Sequence, residues 1–226
     1  FTKIKYYFSL VKFAHTIFSL PFALIGFYIG LSDNNYEFNF FKLFLIVLAV
    51  LFARNSAMAF NRLVDKDVDK LNYRTAEREI PSGKISARQA LFFIIANIML
   101  FIIVAFLINP LCFYLSPVAM LIILSYSYFK RFSWGCHFVL GLSLAIAPIG
   151  AYIAITNKFA FIPLMFSLLV ALWTSGFDII YSLQDIDFDK KLSLKSIPAK
   201  FGIKKALYIS GFLHFCAVII IWFIYF

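Results

Sequence analysis

Residues 89–129 run for 41 positions without a charged side chain. A transmembrane helix needs about 20 apolar residues at 1.5 Å rise per residue. The run therefore holds two spans, with Asn109-Pro110 at its centre as the turn between them. Further uncharged runs cover 13–32, 132–157, 159–177 and 206–226, and 40–60 is broken only by Lys42 and Arg54. The pattern predicts an all-α, polytopic membrane bundle with spans near 13–31, 40–60, 90–108, 110–128, 134–155, 159–183 and 205–226. Only 14% of the 226 residues are charged and 63% are hydrophobic, which excludes disorder and an ordinary soluble domain. No ten-residue blocks of alternating polarity suggest a membrane barrel.

The basic residues sort by side. Of 21 Lys and Arg, 18 lie before the first span or in the loops after the second, fourth and sixth. The positive-inside rule places the N-terminus and those loops in the cytoplasm, in a cell inner (plasma) membrane crossed several times. The excess of +10 is thus read as topology and lipid headgroup attraction, with no nucleic-acid partner. Cys112, Cys136 and Cys216 sit in apolar stretches without metal-ligand spacing and read as packing residues. His15, His137 and His214 are scattered and read as core or interface histidines.

Six of the 11 acidic residues fall in two clusters, Asp65, Asp67 and Asp69 after the second span and Asp185, Asp187 and Asp189 after the sixth. At about 100° per residue, Asn61, Asp65 and Asp69 share one helical face, and Arg54 falls back onto it. Asp178, Tyr181, Asp185 and Asp189 form a second stripe, while Asp67 and Asp187 point elsewhere. Polar residues of this kind at a membrane mouth are candidate functional groups. Two facing carboxylate stripes repel unless a cation lies between them. Hard divalent ions suit them, and Mg²⁺ also takes substrate phosphates. Arg74, Arg78, Lys130, Arg131 and Lys195 lie close by in sequence and could hold an anion. Most other lysines read as topogenic.

At these residues the chain resembles the UbiA superfamily of intramembrane aromatic prenyltransferases. Asn61, Asp65 and Asp69 match the family's Asn-Asp-x-x-Asp-x-x-x-Asp, with Arg62 in place of the second residue. Arg74-Thr75 through Arg78, Pro81 and Gly83 resemble its Arg-Thr-x-x-Arg-x-x-Pro-x-Gly loop. Tyr126 with Lys130-Arg131, and Asp178, Tyr181, Asp185, Asp189 with Lys195-Ser196, resemble its remaining elements.

The resemblance implies transfer of a polyprenyl group from its diphosphate to an aromatic acceptor, in a membrane and with Mg²⁺. It implies metal ligation by Asp65, Asp69, Asp185 and Asp189. It implies diphosphate binding by Arg54, Asn61, Arg74, Arg78, Lys130, Arg131 and Lys195. Asp178 would orient or deprotonate the acceptor, or else only join helices. Tyr126 and Tyr181 would face the allylic cation, or else only pack. The acceptor expected is 4-hydroxybenzoate or a related ubiquinone or menaquinone precursor, including the futalosine route. Other branches of the family (haem, tocopherol or chlorophyll type) remain open.

The family's nine spans imply that residues 1–226 are one prenyltransferase domain cut at the C-terminus, about seven spans of nine. A CDP-alcohol phosphotransferase needs an Asp-Gly pair that does not occur here. A cation transporter would place its acids near the midplane rather than at one rim.

Overall fold

The computed structural model describes residues 2–12, 18–33 and 36–226 of the chain. Its helices are α1 (Thr2–Leu10), α2 (Leu20–Ser32), α3 (Phe40–Val64), α4 (Lys66–Leu71), α5 (Ala87–Ile108), α6 (Pro110–Phe132), α7 (Cys136–Thr156), α8 (Phe161–Tyr181), α9 (Ile186–Lys191) and α10 (Ile197–Tyr225). No strand occurs among the described residues. Six helices are long and apolar enough to cross a membrane, and α2, at 13 residues, is a shorter apolar helix at the place of the first expected span. Residues 13–17 of that span, His15 among them, lie outside the described residues.

The helix ends follow local chemistry. Ser86 and Gln89 form a capping box at the start of α5. Asn109 caps α6, accepting from the Cys112 N–H at 2.8 Å, with Pro110 in the first turn. The same Asn109 amide donates to Ile153 O at 2.8 Å, which pins the α5–α6 turn to the end of α7. Ser196 and Pro198 open α10, which kinks at Gly202, where φ is +79°. The apolar run of the last span begins after this kink, close to the expected start.

Helix α7 is the most buried of the six and packs against α2, α6 and α8. The α2–α7 crossing depends on Gly26, since a Cβ there would stand 1.9 Å from Pro148 O. Small residues let helices approach where lipid offers no hydrophobic drive. Large side chains such as Phe92, Phe106, Leu121 and Phe212 cover the outer faces and are exposed, as suits helices solvated by acyl chains. Cys112, Cys136 and Cys216 are unbridged.

Candidate active site

Both carboxylate clusters lie where a long helix breaks. Helix α3 ends at Asp65 (φ −88°, ψ 6°), and α4 starts at the next residue. Helix α8 gives way to a 3₁₀ turn over Ser182–Asp185 before α9. The uninterrupted α-helical stripes expected from spacing are therefore corrected. A 3₁₀ turn advances about 120° per residue and re-aims Asp185 relative to Asp178. The inward and outward sorting survives the breaks. Asp65, Asp69 and Asp189 are buried, and Asp67 and Asp187 are exposed.

Each of the four stripe carboxylates meets a polar or basic partner. Asp65 pairs with Lys130 Nζ and Arg131 Nη2, both at 3.1 Å, and accepts from Asn61 Nδ2 at 3.2 Å. Asp69 receives Arg78 Nη1 on both oxygens, at 2.9 and 2.8 Å. Asp185 receives Arg74 Nη2 at 2.6 Å and Asn72 Nδ2 at 3.5 Å. Asp189 accepts from the Ser196 hydroxyl at 2.8 Å. Burial pushes the Asp65 carboxyl above the ordinary carboxylate range, against the pull of Lys130 and Arg131. Burial opposes the Arg74 charge, but Asp185 and Tyr181 outweigh it and hold the guanidinium above its ordinary value.

These contacts join the two motifs at one end of the bundle. The loop after α4 reaches Asp185 through Arg74 and Asn72. The Lys195 N–H donates to Lys130 O at 2.7 Å, and Lys130 stands close enough to Asp189 to act on it electrostatically. Among the described residues no group of three or more carboxylate, imidazole or thiol side chains is set to hold a metal ion. Asp65, Asp69 and Asp185 pair with the chain's own bases, and Asp189 bonds a hydroxyl.

Two expected members of the basic clamp lie elsewhere. Lys195 donates to Phe132 O at 3.2 Å and lines a separate concavity of about 480 Å³ with Lys190, Lys200 and Trp134. Arg54 pairs with none of the four aspartates. It lines an apolar cavity of about 360 Å³ between α3, α5, α6 and α7. It is the sole charged residue of that lining, and its Nε is buried without a hydrogen-bond partner. A helical period of seven residues gave its face but not its depth.

Tyr126 lines the same cavity, its hydroxyl 3.5 Å from Ala57 O. Arg54, Asp65 and Asp178 each lie within electrostatic range of the Tyr126 phenol. From Ala57 to Asp65 the helix rises about 12 Å, and from Tyr126 to Lys130 about 6 Å. Ala57 and Tyr126 thus wall the cavity on the same two helices whose ends carry Asp65 and Lys130. Tyr181 is exposed, stacks on Phe177 and faces Arg74.

Three groups escaped the sequence reading. Glu79 forms a buried ion pair with Arg62 at 3.0 Å. Asn72 reaches Asp185 across the bundle. His137, set aside as a packing histidine, is buried and lies 2.7 Å from Asp178. No spacing could flag these pairs, because their partners are 17, 113 and 41 residues away.

Six helices long and apolar enough to cross a membrane, with acids and bases gathered at one end of the bundle, define a multi-pass membrane protein. The chain belongs to the UbiA prenyltransferase family, whose sequence model matches residues 19–226. It is 33% identical over 160 residues to the 4-hydroxybenzoate octaprenyltransferase of Aliivibrio fischeri (strain MJ11), covering 71% of this chain and 56% of the relative. It is 35% identical over 156 residues to the enzyme of the same name from Vesicomyosocius okutanii subsp. Calyptogena okutanii (strain HA), covering 69% and 57%. The chain thus spans under two thirds of the length of these relatives.

Among solved structures, it is similar to the apo UbiA homolog from Aeropyrum pernix K1. The TM-score is 0.84 at 36% identity, over 92% of this chain and 77% of that one. It is also similar to a UbiA homolog from Archaeoglobus fulgidus bound to DMAPP and Mg²⁺, with TM-score 0.80 and 27% identity over 96% and 77%.

Proposed function

We propose that the chain transfers a polyprenyl group from its diphosphate to an aromatic acid, in a divalent-metal-dependent reaction. The observation that carries this reading is the joining of two aspartate clusters and their bases at one end of the bundle, on helices α3 and α6 that also wall an apolar cavity. A prenyl diphosphate has an oil-soluble tail and an anionic head, and this arrangement can accept both. The names of the relatives and the ligands of the Archaeoglobus structure support it.

The donor set fits Mg²⁺, being all oxygen. Asp65, Asp69, Asp185 and Asp189 would hold it, exchanging their present partners for metal. The released Lys130, Arg131, Arg78 and Arg74 would then be free to take phosphate oxygens. Bound metal would supply charge neutralisation for the departing diphosphate. The chain's own cations add to it as the C–O bond lengthens and the pair of electrons leaves with oxygen. The allylic carbon would develop positive charge beside Tyr126, whose ring face can stabilise a cation. The apolar lining excludes water that would otherwise quench it.

Arg54 moves from the diphosphate to the acceptor in this reading. A lone guanidinium in an apolar cavity calls for a fixed anion, and the carboxylate of an aromatic acid such as 4-hydroxybenzoate answers it. Asp178, within electrostatic range of Tyr126, accepts a hydrogen bond from the acceptor hydroxyl and so enriches the ring carbon that attacks. As the new C–C bond forms, that carbon gives up its proton to the departing diphosphate and the ring regains its aromaticity. Lys195, off the cluster, serves the loop rather than the phosphates. The charged rim faces the cytoplasm of an inner membrane, by the placement of 18 of 21 basic residues.

The test is transfer by membranes carrying the protein, from radiolabelled geranyl or octaprenyl diphosphate to 4-hydroxybenzoate. Product should form with Mg²⁺, vanish with a chelator and return on adding metal. Transfer that is insensitive to chelation, or no transfer to any aromatic acid, sinks the reading.

A further inference from the structure

The reaction drawn above leaves one buried titratable side chain without a task. His137, in the first turn of α7, is 2% exposed. Its Nδ1 stands 2.7 Å from Asp178 Oδ2 on α8. Its Nε2 lies 3.2 Å from the backbone nitrogen of Ile197, at the start of α10. A backbone N–H can only donate, so Nε2 presents its lone pair. The single ring proton therefore sits on Nδ1 and is donated to Asp178. A doubly protonated ring would set N–H against N–H at Ile197.

Two consequences follow for the site. The imidazole occupies one oxygen of Asp178, and among the described residues the carboxylate makes no second hydrogen bond. The Asp178 side chain keeps 27% exposure. The donated N–H also fixes the rotamer of the carboxylate. The other consequence lies in the chain that carries Ile197. Its neighbour Ser196 donates to Asp189 at 2.8 Å, and Lys195 N–H donates to Lys130 O at 2.7 Å. One imidazole thereby links Asp178 to the segment that fixes Asp189 and Lys130.

We propose that His137 is a positioning residue, locked by the Ile197 amide in its Nδ1–H tautomer, which holds Asp178 ready to accept the hydrogen bond of the acceptor hydroxyl. The inference rests on the acceptor role given to Asp178 above. It assigns the histidine a task through Asp178, as outer hydrogen-bond partners orient ligand groups in other sites.

Two substitutions separate the ring's two bonds. His137→Gln keeps an acceptor for the Ile197 N–H but offers no donor at the Nδ1 position. His137→Asn keeps the donor to Asp178 and loses the acceptor. His137→Gln should lower kcat at least tenfold, with KM for prenyl diphosphate changed less than about twofold, and His137→Asn should recover most of the rate. In an Asp178→Asn background His137→Gln should add no further loss. Losses that multiply would show that His137 acts through the fold alone and would overturn the proposal.

A second readout needs no turnover. In ¹⁵N-histidine-labelled protein, the signals that His137→Gln removes should be those of a protonated Nδ1 and a bare Nε2. The opposite tautomer, or an imidazolium, overturns the lock. If the wild-type protein transfers no prenyl group at all, the reaction reading fails and the positioning role with it, whatever the spectrum says of the tautomer.

Discussion

Arg62 stands where the family motif carries an acid, and the structure gives it a partner. Its Nη1 lies 3.0 Å from Glu79 Oε2, with the two side chains 4% and 9% exposed. The Ser9 hydroxyl of α1 donates to the other Glu79 oxygen. Arg62→Met leaves Glu79 buried with Ser9 alone. Removing one partner of a buried pair costs about 3–5 kcal/mol. The carboxylate can escape by taking up a proton, and for a glutamate titrating near 4.3 when unfolded that is roughly 3.7 kcal/mol uphill at pH 7. The expected loss at pH 7 is therefore about 3–4 kcal/mol. At roughly 2–4 °C per kcal/mol for a chain of this size, the thermal midpoint should fall by about 6–16 °C. The fall should shrink by about 1.4 kcal/mol for each pH unit below 7, because protonation becomes easier. Arg62→Met with Glu79→Leu removes both charges and should restore the midpoint to within a few degrees. Tryptophan fluorescence in detergent, scanned at pH 7 and pH 5.5, reads both effects. A single variant no less stable than the double one, at either pH, would refute the argument.

The remaining expectations concern the site and its surroundings. Asp65→Asn, Asp69→Asn, Asp185→Asn and Asp189→Asn should each abolish prenyl transfer in membranes while the protein still folds, and Asp67→Asn and Asp187→Asn, being exposed, should stay near wild type. Arg54→Met should raise KM for the aromatic acid roughly ten- to hundredfold, the worth of a lost charge-assisted hydrogen bond, and leave KM for prenyl diphosphate unchanged. Steady-state kinetics with each substrate varied in turn would expose the opposite pattern. At the other rim, Asp33 is held below the ordinary carboxylate range by the Tyr152 hydroxyl and by Lys158 at 2.9 Å. A lowered folded value stabilises above the unfolded pKa and fades as pH falls through the folded one. Asp33→Asn should thus lower the thermal midpoint at pH 7, with the gap from wild type closing as pH falls below the ordinary aspartate value. Single cysteines at Ser82 and Ser193, both exposed, in a background without the native three, should resist an impermeant thiol reagent outside intact cells and react once the membrane is opened. Labelling of only one from outside would break the shared rim.

The sequence by itself determined the spans and the direction of the acids. A 41-residue run without charge has one stable solution in a chain this apolar, because lipid solvates only helices whose backbone bonds close internally. Periodicity alone separated buried Asp65, Asp69 and Asp189 from exposed Asp67 and Asp187, since a helix must turn some side chains inward. What periodicity supplies is an angle about one axis, and it says nothing of what stands opposite. Only the packed bundle decided that Arg74 reaches Asp185 across 111 residues, that Lys195 turns away to Phe132, and that Arg54 sits alone in the cavity. The same holds for His137, whose ring acquires a direction only when α8 supplies Asp178 and α10 supplies the Ile197 amide. Those contacts depend on helix crossings such as Gly26 on Pro148, where distances are set by side chains from elements remote in the chain.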